Sequence, residues 1–352
     1  MRKRTVARLL GLLILYGTVT AAIPLTAGLL AGMSAEDRPA DVTPQKDAAL
    51  SAHSVDESPQ RAALTAAATV RVWDEAVGHV LTLTPAEYLL GASAGEMPQS
   101  YADEAIKAQI VAAHSYYEYC RVGGSFGLSD GAVLTVNTAR REGYLTPQVR
   151  EELWGERYEA NTARMQQLVE QTLEQLVTWD GAAADTCYHA CSTGQTADAA
   201  DVWGTAVPYL VSVESPWDTE TAGFQQTQTF TRQQMKEVLT TRFVGPDLSG
   251  EPQSWFGEST VTPQGYVTAV RVGGALVDAA QLREQLGLRS TAFEITYADG
   301  VFAVTTRGYG HGVGMSQMGA NALAAQGKSC EEILRHYYPG TVLQTAQLTE
   351  EP

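Results

Sequence analysis

From Gly308 to Gly314 every second residue is glycine, within the run Arg307-Gly308-Tyr309-Gly310-His311-Gly312-Val313-Gly314-Met315-Ser316-Gln317-Met318-Gly319-Ala320. The run follows a predicted strand over Val301–Thr305. It leads into a predicted helical pair over Ala320–Tyr337 that breaks at Gly327 and ends before Pro339. Any fold of this chain must therefore bring a strand end and a helix start to this segment. Glycine there allows a ligand close to the backbone and leaves amide donors free. His311, Ser316 and Gln317 add side chains able to bond hydroxyl and acetamido groups. A plain structural turn is the competing reading. Two nucleotide motifs fail: the glycine spacing is not that of a dinucleotide fingerprint, and the loop ending Gly327-Lys328-Ser329 has Ala322 where its first glycine belongs.

A second constrained point is Gly95-Glu96-Met97-Pro98. Thr84-Pro85-Ala86-Glu87 is a capping box with proline at the first helical position, so a helix is predicted from Pro85. Pro98 disfavours helical geometry at Met97 and stops it there. A second helix is predicted over Asp103–Cys120, with Ile106, Ile110, Ala113 and Tyr117 recurring at helical spacing. Glu96 is thereby held in a short corner with apolar neighbours, where desolvation raises a carboxyl pKa. Such a group stays protonated near neutral pH and can act as a general acid. Taken in isolation, it reads more plainly as a surface glutamate beside a turn.

The formal net charge is -16, which argues against a phosphate-backbone partner, and no nucleic acid is expected. Arg2, Lys3, Arg4 and Arg8 precede an uncharged apolar stretch from Leu9 to Gly32. That stretch exceeds the roughly 7–15 residues of a signal core and reaches the about 20 that span a bilayer. Residues 1–33 are accordingly expected to form a cytoplasmic tip and a transmembrane anchor, with the rest outside. A cleaved signal is the alternative, since Ala21-Ala22 and Ala27-Gly28 offer small-residue sites. Residues 34–66, mixed and polar, read as a flexible tether. A domain over 67–345 and a tail over 346–352 complete the expected organisation.

Further helices are expected at 147–177, with an interruption, and at 232–239 and 280–286. Strands are expected at 69–73, 186–190, 209–213, 266–272 and 293–297. Helices early and strands late give an α+β fold class behind the anchor.

Cys187, His189 and Cys191 alternate, so on a strand they would share a face and could offer three zinc ligands. A Cys191 thiol nucleophile with His189 as base is another reading, and a half-buried strand with a partner-facing histidine is the plainest.

Taken together and in order, these blocks resemble the family of stage II sporulation protein D, over about Thr69 to Thr341. The resemblance is carried by Leu83–Glu96 with Met97-Pro98, Glu104–Gln109, Tyr188-His189, Thr193–Thr196, Asp201-Val202-Trp203 and Pro208–Leu210. It continues through Leu282-Arg283, Leu286–Thr291, Phe293 and the glycine-rich run. It implies a lytic transglycosylase in which Glu96 cleaves between N-acetylmuramic acid and N-acetylglucosamine, leaving a 1,6-anhydro end. The implied cleft residues are His189, Ser192, Arg289, Tyr309, His311, Ser316 and Gln317. The expected setting is the mother-cell membrane facing the forespore during engulfment. The expected partners are peptidoglycan strands, a companion amidase/endopeptidase and a membrane protein of the engulfment machinery. Related domains occur in amidase enhancers, so a non-catalytic wall-binding role is the alternative. The chain departs from the family at His114, where arginine is usual, and at Cys191, where a small hydroxyl residue is usual. It also departs at 123–146, which lacks the cysteines and histidines that bind zinc in some members. No cofactor is therefore expected; any zinc would fall to Cys187, His189 and Cys191.

Overall fold

The computed structural model describes residues 64–123 and 128–349. The apolar stretch 9–32 and the tether as far as residue 63 lie outside the described residues. Among the described residues, no helix is long and apolar enough to cross a membrane. The transmembrane helix expected ahead of the domain falls on residues outside those described, and the expected α+β class of the domain is corrected by what is seen. Helices and strands are interleaved in a mixed α/β arrangement, with Thr65–Ala67, Val70–Asp74 and His79–Leu83 all preceding the first described helix. Segregation fails because several strands pair in parallel with partners remote in sequence. Thr65–Ala67 pairs with Gln347–Thr349, Val70–Asp74 with Leu134–Val136, and Tyr188–His189 with Met315–Ser316. The first of these pairings uses residues just outside the expected 67–345 bounds.

Helix Pro85–Glu96 begins as its sequence requires. Thr84 accepts from the Glu87 amide, and the Glu87 carboxylate accepts from the Thr84 amide. The helix ends at Met97, whose backbone is extended before Pro98. Gly91 and Gly95 let Tyr144 and Leu145 press against its face; a side chain at 91 would overlap the Tyr144 ring. The longer helix Asp103–Val122 runs through the main core, with Ile106, Ile110 and Tyr117 buried and small residues such as Ala105, Ala108 and Ala112 at close approaches. Helices Tyr158–Thr172 and Cys330–Tyr337 contribute Met165, Ile333 and Tyr337 to the same core. Each such fully buried large apolar side chain contributes roughly 1.5–3 kcal/mol.

A second core is built from residues 230–304. Strands Gln225–Thr231, Val301–Arg307 and Phe293–Ala298 form one antiparallel sheet, and Phe256–Val261, Val267–Val272 and Ala275–Asp278 form another. Helices Arg232–Arg242 and Ala279–Leu286 pack Met235, Leu239 and Leu282 around Trp255, which stacks on Phe302 at 5.5 Å. Two expectations differ locally. Val177, placed in a helix by its sequence, lies in strand Gln175–Trp179, where its amide donates to Ser115 Oγ at 2.8 Å. The segment 209–213 is not a strand; its carbonyls at Leu210 and Val213 accept from the amides of Ala199 and Thr196.

Candidate active site

Glu96 is the last residue of its helix, and the following turn is pinned from two directions. Arg164 donates to the carbonyls of Gln99 and Tyr101, both at 2.6 Å, and to the Asp103 carboxylate at 2.8 Å. The Ala102 amide donates to Asn321 Oδ1 at 2.9 Å, tying the corner to helix Gln317–Ala325. That helix presents Gln317, whose Nε2 donates to Glu96 Oε2 at 3.1 Å and to Gln109 Oε1 at 3.3 Å. Glu96 and Gln317 are 221 residues apart in sequence, and the fold makes them neighbours. The Glu96 carboxyl is only partly exposed, and burial pushes it up to about 7 against the opposing pull of the Gln317 amide. Its place at the negative end of a helix acts in the same sense as burial. Among the described residues, no second carboxylate contributes to that shift.

Tyr188 lies beside this group. Its half-buried phenol is held protonated by burial first and then by the charge of Glu96, and it faces Gln109. The next position is fixed through a histidine pair. The Val313 amide donates to His311 Nδ1 at 3.1 Å, so His311 carries its proton on Nε2 and donates to the Tyr188 carbonyl at 2.9 Å. The Val313 carbonyl accepts from His189 Nδ1 at 3.0 Å. Burial, the Arg283 charge and, for His189, the neighbouring His311 depress both imidazoles, His311 to about 4 and His189 to about 3. Both are neutral at pH 7. The Trp203 ring lies 5.4 Å from that of His311. Arg289 stacks over Tyr309 at 5.2 Å and donates to the Gly223 carbonyl.

The structure thus brings Glu96, Gln317 and His311 into one region with Tyr188, and pairs Arg289 with Tyr309. His189 is fully buried behind His311. Ser192 and Ser316 are also fully buried, and they converge on Asp218 instead of a ligand. Asp218 accepts from the Ser192 amide at 2.8 Å and from Ser316 Oγ at 3.0 Å, and burial raises its pKa. Ser316 Oγ in turn accepts from the Gly319 amide, which starts the helix carrying Gln317.

The glycines serve packing. A β-carbon at 308 would stand 2.7 Å from the Cys191 carbonyl oxygen, one at 310 would stand 2.6 Å from His189 Cβ, and one at 314 would overlap the Cys187 carbonyl. Their φ angles are positive, from 70° to 110°. The amides expected to be free are engaged: Gly308 donates to Phe224, Tyr309 to Cys191 and Gly310 to Arg289.

Cys187, His189 and Cys191 do not converge. The thiols face the Val313 and Asp218 carbonyls, and the imidazole proton is held as described. Among the described residues, no group of three His, Cys, Asp or Glu side chains is placed to hold a metal. All four cysteines are buried and free, and burial raises the Cys191 thiol far above its usual range. His114 is buried in the main core and neutral, depressed to about 4 by that burial. Sequence reading did not assign a site role to Gln109, Tyr188, Arg164 or Asp218, although Gln109 and Tyr188 fall in the blocks that carried the resemblance. A glutamine on the apolar face of Ile106 and Ile110 is a signal for the first, and the block Tyr188-His189 is one for the second; Arg164 and Asp218 gave none.

Residues 74–179 match the stage II sporulation protein (SpoIID) family. The chain is 34% identical over 260 residues to stage II sporulation protein D of Bacillus amyloliquefaciens, covering 74% of each. It is 31% identical over 342 residues to stage II sporulation protein D of Bacillus subtilis (strain 168), covering 97% of this chain and 95% of that one. It is also 26% identical over 315 residues to the amidase enhancer of Bacillus subtilis (strain 168), covering 72% of this chain and 40% of that protein.

Proposed function

The chain belongs to the family of stage II sporulation protein D, a sporulation family, and from that premise we propose that it is a lytic transglycosylase of peptidoglycan. One observation carries the reading: a single carboxyl, Glu96, is raised to about 7 by burial in a corner fixed by Arg164 and Asn321. A group poised there is populated in both protonation states at neutral pH, as an acid that must become a base requires. Protonated Glu96 gives its proton to the glycosidic oxygen as the bond to the muramyl anomeric carbon breaks. The muramyl 6-hydroxyl then bonds to that carbon and returns its proton to Glu96. This closes a 1,6-anhydro ring with no water and no second carboxylate, unlike ordinary glycoside hydrolysis. His311, Tyr309 and Arg289 supply polar and aromatic surface for sugar. The proposed setting is the space between mother cell and forespore, with a companion amidase/endopeptidase removing stem peptides first and a membrane protein completing the assembly.

The likeness to an amidase enhancer supports a second reading, wall binding without cleavage. Digestion of peptide-stripped peptidoglycan by the wild-type chain and by Glu96→Gln, with products identified by mass, separates the two. Anhydro-muramyl ends from wild type alone support the transglycosylase. Binding without cleavage by either supports the enhancer, and hydrated reducing ends would mean a hydrolase.

A further inference from the structure

Gln317 makes a pattern of contacts that burial alone does not require. Its side chain is fully buried at the start of its helix, yet its Oε1 has no hydrogen-bond donor. Buried polar atoms are rarely left so. The contacts it does make run through Nε2, which is shared between Glu96 Oε2 and Gln109 Oε1. Gln109 is itself fully buried on helix Asp103–Val122, so the amide is held by a second acceptor besides Glu96. With Gln109 Oε1 as an acceptor on one side, Gln317 must turn its amide hydrogens toward both neighbours. One carboxyl oxygen of Glu96 is thereby committed as an acceptor, and the two oxygens become inequivalent.

We propose that Gln317, braced by Gln109, is a positioning residue that keeps Glu96 Oε2 an acceptor, so that Oε1 is the oxygen that gives and takes the proton. This rests on the reading of Glu96 as acid and base. The proton leaves Oε1 for the glycosidic oxygen as the bond to the anomeric carbon breaks. The proton of the muramyl 6-hydroxyl returns to Oε1 as that hydroxyl oxygen bonds to the same carbon. Oε2 keeps its amide contact throughout, so the carboxyl is not free to rotate between the two steps.

The test uses the full chain, with Gln317→Met and Gln109→Met as near-isosteric variants unable to donate or accept comparably. Carbon-13 labelling of glutamate carboxyls follows the Glu96 titration directly, with Glu96→Gln identifying its resonance. Loss of the Gln317 amide removes a donor that favours the ionised form, so the Glu96 midpoint should rise by about one pH unit. Gln109→Met should move it less, in the same direction. On peptide-stripped glycan, kcat should fall roughly tenfold in Gln317→Met, with KM little changed, as expected when about 1.4 kcal/mol of transition-state orientation is lost. A midpoint unmoved in both variants, or a raised KM at constant kcat, overturns the proposal and makes Gln317 a packing or sugar-binding residue. If Gln317→Met does not fold, Gln109→Met, which leaves the Glu96 contact in place, decides by the same titration. A midpoint that moves while the wild-type chain cleaves no glycan upholds the positioning and overturns the transglycosylase reading.

Discussion

Asp218 Oδ1 accepts from Ser316 Oγ at 3.0 Å across 98 residues of sequence, while Oδ2 holds the Ser192 amide. One buried carboxylate therefore joins the segment just after strand Tyr188–His189 to the cap of the helix that carries Gln317. Asp218→Ala would leave a buried hydroxyl and a buried amide without their acceptor. The expected cost is roughly 2–4 kcal/mol, read as a lowered midpoint in urea denaturation. Asp218→Asn, which keeps one carbonyl oxygen, should lose less. Equal stability of Asp218→Ala and wild type would dismiss the network as structural support.

Glu96 should oppose folding in alkaline solution. Its folded-state pKa of about 7 lies above the ordinary 4.5, so the native state holds the proton more tightly than the unfolded chain. The ionisation penalty thus grows as pH rises from about 4.5 to 7 and stands in full above that. Glu96→Gln removes it. Thermal melts should show the variant more stable than wild type at pH 8, by up to roughly 2–3 kcal/mol, and nearly equal to it at pH 4.5. A gap independent of pH would mean that Glu96 is not desolvated.

Gly314 and Gly327 make a matched pair. Both have positive φ, but a β-carbon at 314 meets the Cys187 backbone whereas one at 327 meets open space. Gly314→Ala should cost roughly 2–4 kcal/mol from overpacking and strain, and Gly327→Ala about 1 kcal/mol from strain alone. Chemical denaturation of both variants measures the difference. Similar losses would show that the comb of glycines does not pack as described.

Arg164→Met should loosen the corner without emptying the core, because its guanidinium contacts are to backbone carbonyls and the exposed Asp103. Amides at 99–103 should exchange faster with deuterium, and glycan cleavage should fall, while the folded baseline by circular dichroism is kept. Unchanged exchange in that segment would remove Arg164 from any role at the site.

Much of the corner was legible because its determinants are local. The capping box, Pro98 and the apolar spacing from Ile106 to Tyr117 each act within a few residues, and the helices start and stop as they dictate. The glycine run was legible as an obligate irregular segment, but not in its purpose. Nothing in a sequence says whether a missing side chain makes room for a ligand or for the chain's own backbone, and here Cys187, His189 and Cys191 fill the room. Ser192 and Ser316 misled for a related reason: a hydroxyl suits a sugar and a buried carboxylate equally, and the Asp218 that claims both lies in an unremarkable stretch. Interleaving of helices and strands was missed because parallel partners such as Tyr188–His189 and Met315–Ser316 share no local pattern.

The peptide group of Val313 engages both imidazoles at once, giving its hydrogen to His311 and its oxygen to the proton of His189. A single backbone unit thus sets two tautomers, and both rings lose their charge well below neutrality. With Tyr188 protonated far into the alkaline range, neither the phenol nor the two imidazoles titrates alongside Glu96 near neutrality; burial also raises the pKa of two other carboxyls, Asp185 and Asp218. The histidines and the phenol thus add no ionisation of their own near neutrality, so among the groups walling Glu96 it is the carboxyl, not its neighbouring rings, that changes charge there.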